Sequence, residues 1–257
     1  MAAAARAKAV PIDIERAIEV FVRGFAFTRS FTHPYVAERV GPLWVTRDAP
    51  RKGRADYRRE EWMAPPGVAP AEVDRLARQG TRGAYAICAF RRPDEPDGEL
   101  RTGYKAIGYR LGVTEPLMAH PLQRVPRLAE PYPVTRVTTP ELADRLAKQA
   151  RSRQLLPEHL KPDSPLRQYV ALDGDLLIGW VKSIAVGDAT WVSNMYVAPE
   201  YRRRGVGRSM LVRMLRDDRA AGATCSVLTA SHTGALLYPV VGYELVGELL
   251  LFTPKRR

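Results

Sequence analysis

The second half of the chain alternates short apolar runs with amphipathic ones. Residues 189–197, Ala-Thr-Trp-Val-Ser-Asn-Met-Tyr-Val, are rich in β-branched and aromatic side chains and predict a strand. Residues 208–216, Arg-Ser-Met-Leu-Val-Arg-Met-Leu-Arg, place apolar side chains at helical spacing, and Gly222 follows as a C-terminal cap. Residues 223–230 and 248–253 are further β-type runs. Upstream, residues 168–184 predict a hairpin turning at Asp173-Gly174. Residues 140–150 predict an amphipathic helix, capped by Thr139 and opened by Pro140. Over 134–257 the order is helix, hairpin, strand, loop, helix, strand, helix, strand, which is an α/β alternation.

The loop between the first strand and its helix carries candidate chemistry. Residues 197–208 read Val-Ala-Pro-Glu-Tyr-Arg-Arg-Arg-Gly-Val-Gly-Arg. Gly205 and Gly207 let the backbone approach an anion closely. The helix that follows presents unpaired N–H groups and the positive end of its dipole. Arg202, Arg203, Arg204 and Arg208 add full charge. The spacing is not that of a Walker loop or of a dinucleotide fingerprint. A second segment follows at 231–243, Ser-His-Thr-Gly-Ala-Leu-Leu-Tyr-Pro-Val-Val-Gly-Tyr.

Together, Arg-x-x-Gly-x-Gly after Val-x-Pro-x-Tyr, and Leu-Tyr-x-x-x-Gly-aromatic after that, resemble the two hallmarks of the GNAT (general N-acetyltransferase) superfamily. The resemblance implies the GNAT acyl-CoA N-acyltransferase fold, with acetyl-CoA as co-substrate. It implies that main-chain groups of Met195, Tyr196 and Val197 pair with the pantetheine arm as an added strand. The diphosphate would lie on the loop and helix start formed by Arg202, Arg203, Arg204, Gly205, Val206, Gly207 and Arg208. Ser231 or His232 stands where many members carry Asn, and Ser231 is taken as a cofactor contact. The interval from Ala235 to Tyr238 is one residue shorter than usual, which leaves the start of the following helix open.

Tyr238 is the candidate proton donor to the leaving thiolate. In water a thiol titrates near ~8.5 and a phenol near ~10, so the phenol is protonated at neutral pH. No general base stands out. Asp188 at the start of the strand, Glu244 after the Gly-Tyr pair and His232 in the loop after the next strand are groups that could act through water. The reading is an acetyl-CoA-dependent N-acetyltransferase acting on a primary amine through a ternary complex, its acceptor a small molecule or a protein. A non-catalytic acyl-CoA-binding sensor or scaffold is the alternative, against which the retained Tyr238 argues.

The first half echoes the second. Tyr104-Lys-Ala-Ile-Gly108-Tyr109-Arg-Leu111 has the spacing of Tyr238-Pro-Val-Val-Gly242-Tyr243-Glu-Leu245. Each follows a strand-like run and precedes an apolar one, a pattern that suggests duplication. Residues 1–120 therefore read as a degenerate GNAT-like domain resembling the later part of such a unit, and 134–257 as the GNAT domain. The first half carries no Arg-x-x-Gly-x-Gly loop, so one cofactor per chain is expected; Arg51-Lys-Gly-Arg54 is a faint candidate for a decayed version. Five prolines between Pro121 and Pro140 mark 121–133 as a linker.

Composition changes the picture little. The 257 residues are 46% hydrophobic, enough for a core, and no apolar stretch reaches membrane-spanning length. The net charge of +12 raises nucleic acid as a partner. Part of that charge lies in the cofactor loop, and part in residues 47–62, whose interleaved acids predict a solvated, salt-bridged helix face. Cys88 and Cys225 read as buried thiols of a reducing compartment. The first ten residues lack the apolar core of a secretory signal, so a cytoplasmic protein is expected, although an Arg-containing, acid-free start also has transit-peptide character. His33, His120, His159 and His232 are scattered, and no metal site is expected.

Overall fold

The structure, a computed structural model, describes residues 12–51, 53 and 56–255. The chain's first ten residues, and Lys52 and Arg54 of the suggested remnant loop, lie outside that range. The first half supplies α1 (Ile14–Thr28), β1 (Tyr35–Val40), β2 (Leu43–Asp48), β3 (Glu60–Ala64), α2 (Pro70–Gly80), β4 (Tyr85–Arg91), α3 (Gly98–Ala106) and β5 (Tyr109–His120). The second supplies β6 (Val134–Arg136), α4 (Pro140–Ala150), β7 (Leu166–Asp173), β8 (Leu176–Val186), β9 (Ala189–Val197), α5 (Val206–Ala220), β10 (Cys225–Thr229) and β11 (Glu244–Pro254). Thr139 caps α4 as expected, its hydroxyl accepting the Leu142 amide. The hairpin turns at Gly174, whose φ of +56° suits glycine.

All eleven strands form one sheet, in the order β1-β2-β3-β4-β11-β5-β10-β9-β8-β7-β6. Read inward from β1 and from β7, which lies next to the edge strand β6, the two halves match. A hairpin (β1-β2 or β7-β8) is followed by an antiparallel third strand (β3 or β9). A helix (α2 or α5) then leads to a parallel fourth strand (β4 or β10). The next strand in each half belongs to the other: β11 lies beside β4, and β5 beside β10. β5 and β11 pair with each other along nearly their full lengths. Division of the chain at 121–133 is therefore a division in sequence and not in space. The first half also repeats more of the unit than its later part, from hairpin to closing strand.

The described residues between 47 and 62 are not helical. They belong to the end of β2, a connection and the start of β3. Their three- and four-residue charge spacing mimics a helix face, but Asp48, Glu60 and Glu61 turn inward and are buried. Each acid is met by arginines: Asp48 by Arg51 and Arg58, Glu60 by Arg82, Glu61 by Arg29 and Arg59. Much of the basic excess of this region is thus spent on internal pairs. The helix expected before Gly242 is two short 3-10 turns, Gly234–Leu236 and Tyr238–Val241. Pro239 and the shortened interval leave no room for a full α-turn, and Gly242 ends the segment at φ +100°.

The helices cover both faces. α5 is pinned to one face by Asp218, which is fully buried and accepts from Arg167, Ser183 and Thr190. α1 lies on the other face, where Gly24 lets the helix settle onto the Trp191 indole and Phe21 meets the same ring edge-on at 5.0 Å. The helix of the first half thus packs on a strand of the second. Residues 121–133 form neither helix nor strand and run from β5 to β6. They pass over the loop before α5: a Cβ on Gly205 would stand 3.0 Å from Pro131, and Glu130 pairs with Arg216. Among the described residues no helix is long and apolar enough to cross a membrane.

Candidate active site

β9 and β10 are paired only where Ala189, Thr190 and Trp191 face Cys225, Ser226 and Val227. Beyond Trp191 the strands part, and six residues of β9 have no partner on that side. A β-bulge lies at the start of the parting. The β8 register moves from Lys182↔Ser193 to Trp180↔Tyr196, so Asn194 and Met195 together face Val181. Asn194 takes the left-handed conformation, φ +51°, and its amide donates to Gln154. The bulge leaves Met195, Tyr196 and Val197 half-buried along the open edge, where sequence reasoning put them.

The loop after β9 ends at the N-terminus of α5. Arg203 and Gly205 both adopt positive φ, +62° and +87°. The amides of Val206, Gly207 and Arg208 have no acceptor among the described residues, and the first turn of α5 holds no acid. This is the arrangement that attracts an anion. Arg202 donates to the Val197 carbonyl at 3.2 Å, tying the loop to the strand. Arg204 lies over the Tyr201 ring, and Tyr201 donates to Asp173. Arg208 keeps a buried Nε with no acceptor. Gly207 is itself buried, within α5 rather than in an exposed loop; a Cβ there would stand 2.8 Å from Met195 Cε and 2.9 Å from Leu237 Cδ2.

Tyr238 closes the open edge from the β10 side. Its hydroxyl donates to Met195 Sδ at 3.7 Å, which brings the two hallmark segments together. Its ring meets Tyr243 edge-on at 5.6 Å, and burial pushes the phenol up to about 12. Ser231 stands at the end of β10, and its hydroxyl accepts the Gly234 amide at 3.2 Å, so it closes the turn leading to Tyr238. The three carried candidates for a base are spread apart. Asp188 sits at the closed end of the β9–β10 pair, bonded to Arg16 and Thr224. Glu244 is exposed on β11, and His232 meets Thr114 at 3.2 Å. Both cysteines are buried and free. Among the described residues no group of His, Cys, Asp and Glu could hold a metal.

Sequence reasoning missed Lys182. It is nearly fully buried on β8 opposite Ser193, and it has no carboxylate partner. Its ammonium lies 5.4 Å from the Phe31 ring, and burial pushes its titration down to about 8. A single lysine inside the apolar run Ile-Gly-Trp-Val-Lys-Ser-Ile was the available signal.

The comparisons agree with this geometry. Residues 165–245 match the model of the Acetyltransferase (GNAT) domain. A GCN5-related N-acetyltransferase from Kribbella flavida superposes with a TM-score of 0.63 at 18% identity, over 96% of this chain and 97% of that one. One from Sphaerobacter thermophilus gives 0.53 at 17%, over 82% and 76%. A GCN5-related N-acetyltransferase-like protein from Streptococcus suis gives 0.52 at 11%, over 86% and 88%. No curated protein matches the chain. The fold is the mixed α/β fold of the GCN5-related N-acetyltransferases. The match to the GNAT acetyltransferase domain lies within the second half of the chain, and acyltransferase activity is supported at the level of that domain family.

Proposed function

We propose that the protein is an acetyl-CoA-dependent N-acetyltransferase, acting in the cytoplasm by direct transfer to a primary amine in a ternary complex. The observation that carries this reading is the open edge of β9 running into the acceptor-free amides of α5, with Tyr238 at its side. The residues present fit coenzyme A. The buried Arg208 Nε lacks an acceptor, and the amides of Val206, Gly207 and Arg208 have none among the described residues. Arg202, Arg203, Arg204 and Arg208, with the amides of Gly205, Val206 and Gly207, would hold the diphosphate. Met195, Tyr196 and Val197 would hold the pantetheine arm by their main chain, and Ser231 would contact the cofactor from the turn after β10.

Bound acetyl-CoA supplies an activated thioester to the amine. A main-chain amide on the bulged part of β9 would polarise the carbonyl oxygen. Tyr238 holds its proton at every working pH, because burial has raised it. Transfer from a phenol at about 12 to a thiolate near ~8.5 is uphill, so the hydroxyl serves the sulfur first as a hydrogen-bond donor. Tyr238 would remain protonated as that donor, and the proton lost by the acylated nitrogen would pass through solvent to the departing thiolate.

The test is calorimetry with coenzyme A followed by an amine screen that reads free thiol. Binding with a stoichiometry of one, and thiol release that depends on an amine, are expected. Coenzyme A binding without release for any amine would favour the sensor reading.

A further inference from the structure

Three side chains stand side by side across three strands. Gln168 on β7 faces Lys182 on β8, and Lys182 faces Ser193 on β9. Residues directly opposite in antiparallel strands project to the same face, about 5 Å apart. This row lies on the α1 face of the sheet, away from α5, since Lys182 shares its face with Ile184 and hence with Trp191 under α1. The cover is aromatic. Phe31 lies over Lys182, and His159 sits against Phe27 and Phe31 at 5.7 and 5.1 Å. His159 is fixed by the Leu156 amide, which donates to Nδ1.

The row is chemically incomplete. Lys182 has no hydrogen-bond partner and no counter-ion among the described residues. The Ser193 hydroxyl and the indole N–H groups of Trp180 and Trp191, in the rows on either side, are buried and unpaired. Gln168 Oε1, in the same row, is a buried acceptor left open. Unpaired buried polar groups are rare, and an isolated buried cation is costlier still. Here several occur together, and donors outnumber acceptors. Such a set is completed by a molecule rich in acceptors and negative in charge.

The place of the row says which molecule. Ser193 is two residues before Met195, about 7 Å along the strand, and Met195 meets Tyr238. The row is therefore within reach of the reacting end of the open edge, from the face opposite the phosphate loop.

Resting on the acyltransferase reading, we propose that Gln168, Lys182 and Ser193 form the acceptor subsite, and that the acceptor is a small primary amine bearing a carboxylate. The carboxylate pairs with Lys182, aided by Ser193 and the Trp180 indole. Gln168 Oε1 takes an N–H of the same molecule, and the amine is left facing Met195 and Tyr238. The first half of the chain acts in specificity, because it brings Phe27 and Phe31 over the site.

The test uses the full chain and matched pairs of free L-amino acids and their primary amides, which keep the amine and remove the acid. Binding is read by calorimetry without cofactor, and thiol release with acetyl-CoA. At least one acid should bind ten-fold or more tightly than its amide and show the same preference in kcat/KM. Lys182→Met should bring the acid to the level of the amide and leave coenzyme A affinity within two-fold. Equal binding of every acid and amide to the wild-type protein would overturn the proposal without any variant, as would Lys182→Met retaining the preference. Amines acetylated with no acid preference would sink the subsite alone. Acid preference without any coenzyme A binding would sink the acyltransferase reading and leave the anion site.

Discussion

The two halves share a topology and differ at every point where the chemistry is placed. In the second half, β9 leaves β10 after three pairs; in the first, β3 is paired with β4 along its whole length, Glu60–Ala64 against Tyr85–Ala89. No strand-like ligand can enter there. The loop before α5 is Arg- and Gly-rich, whereas residues 65–69 before α2 read Pro-Pro-Gly-Val-Ala. Pro70 removes one N–H from the first turn of α2, the amides of Glu72 and Val73 bond back to Ala69, and Glu72 places negative charge where an anion would sit. Arg51 belongs to the β2–β3 connection and pairs with Asp48, so the suggested remnant loop is not the counterpart of the phosphate loop. Tyr104 is fully buried against Phe252 at 4.3 Å, its hydroxyl unpaired, whereas Tyr238 reaches Met195 beside an opening. A duplicated fold keeps its function only where strands part, the helix start is free and a hydroxyl meets the gap.

The comparison breaks most severely if the halves are separable. A fragment beginning at Tyr132 loses β5 and so exposes facing edges of β10 and β11 together. It should show no cooperative unfolding by circular dichroism and no coenzyme A binding by calorimetry. A folded fragment would refute the mutual dependence drawn from the strand exchange.

Next in size is the pair of tyrosines. Tyr238→Phe should lower kcat about a hundred- to ten-thousand-fold, the usual worth of general-acid catalysis, with coenzyme A affinity little changed. Tyr104→Phe removes a buried unpaired hydroxyl, so turnover should hold and the midpoint of thermal unfolding should rise slightly. Equal losses at both positions would deny that the halves have diverged.

Glycines sharpen it further. Gly207→Ala pushes Met195 and Leu237 into the open edge and should weaken coenzyme A at least ten-fold in calorimetry. Gly67→Ala meets no atom within 4 Å but must hold φ at +87°. It should cost roughly 1–2 kcal/mol of stability and leave coenzyme A affinity unchanged.

A stability effect at Lys182 without ligand separates the halves further. Its folded pKa, about 8, lies below its unfolded value near ~10.4. The unfolded chain therefore binds more protons between these values, and the penalty of burying the charge is full below pH 8 and fades as pH rises toward 10. Lys182→Met should stabilise the protein by about 3 kcal/mol at pH 7, the size of such a shift at 1.36 kcal/mol per unit. The gain should shrink toward zero by pH 10 in denaturant titrations, and a gain independent of pH would contradict the buried, unpaired charge.

Local features were legible in the sequence. The strand, loop and helix across 189–216 rest on composition and spacing within a few turns, and so does the Tyr238–Gly242 segment. The echo at Tyr104 was visible for the same reason. What pairing at a distance decides was not legible. Nothing near residue 115 says that β5 will lie against β10, and the charge spacing of residues 47–62 looks the same on a helix face as on two strands whose acids turn inward. Lys182 was hidden because its row is assembled from Gln168 and Ser193, fourteen and eleven residues away, which only strand register brings together.

The exchange of β5 and β11 also governs how the molecule must come into being. β11, made after every other strand of this sheet, is placed in its middle, between β4 and β5. Until residues 244–254 emerge, β4 has an unpaired edge and β5 lacks the neighbour with which it shares its longest register. Such distant pairings form slowly and leave sticky intermediates exposed. The nascent first half cannot finish as an independent domain, so premature termination yields an open sheet edge rather than a shorter folded protein.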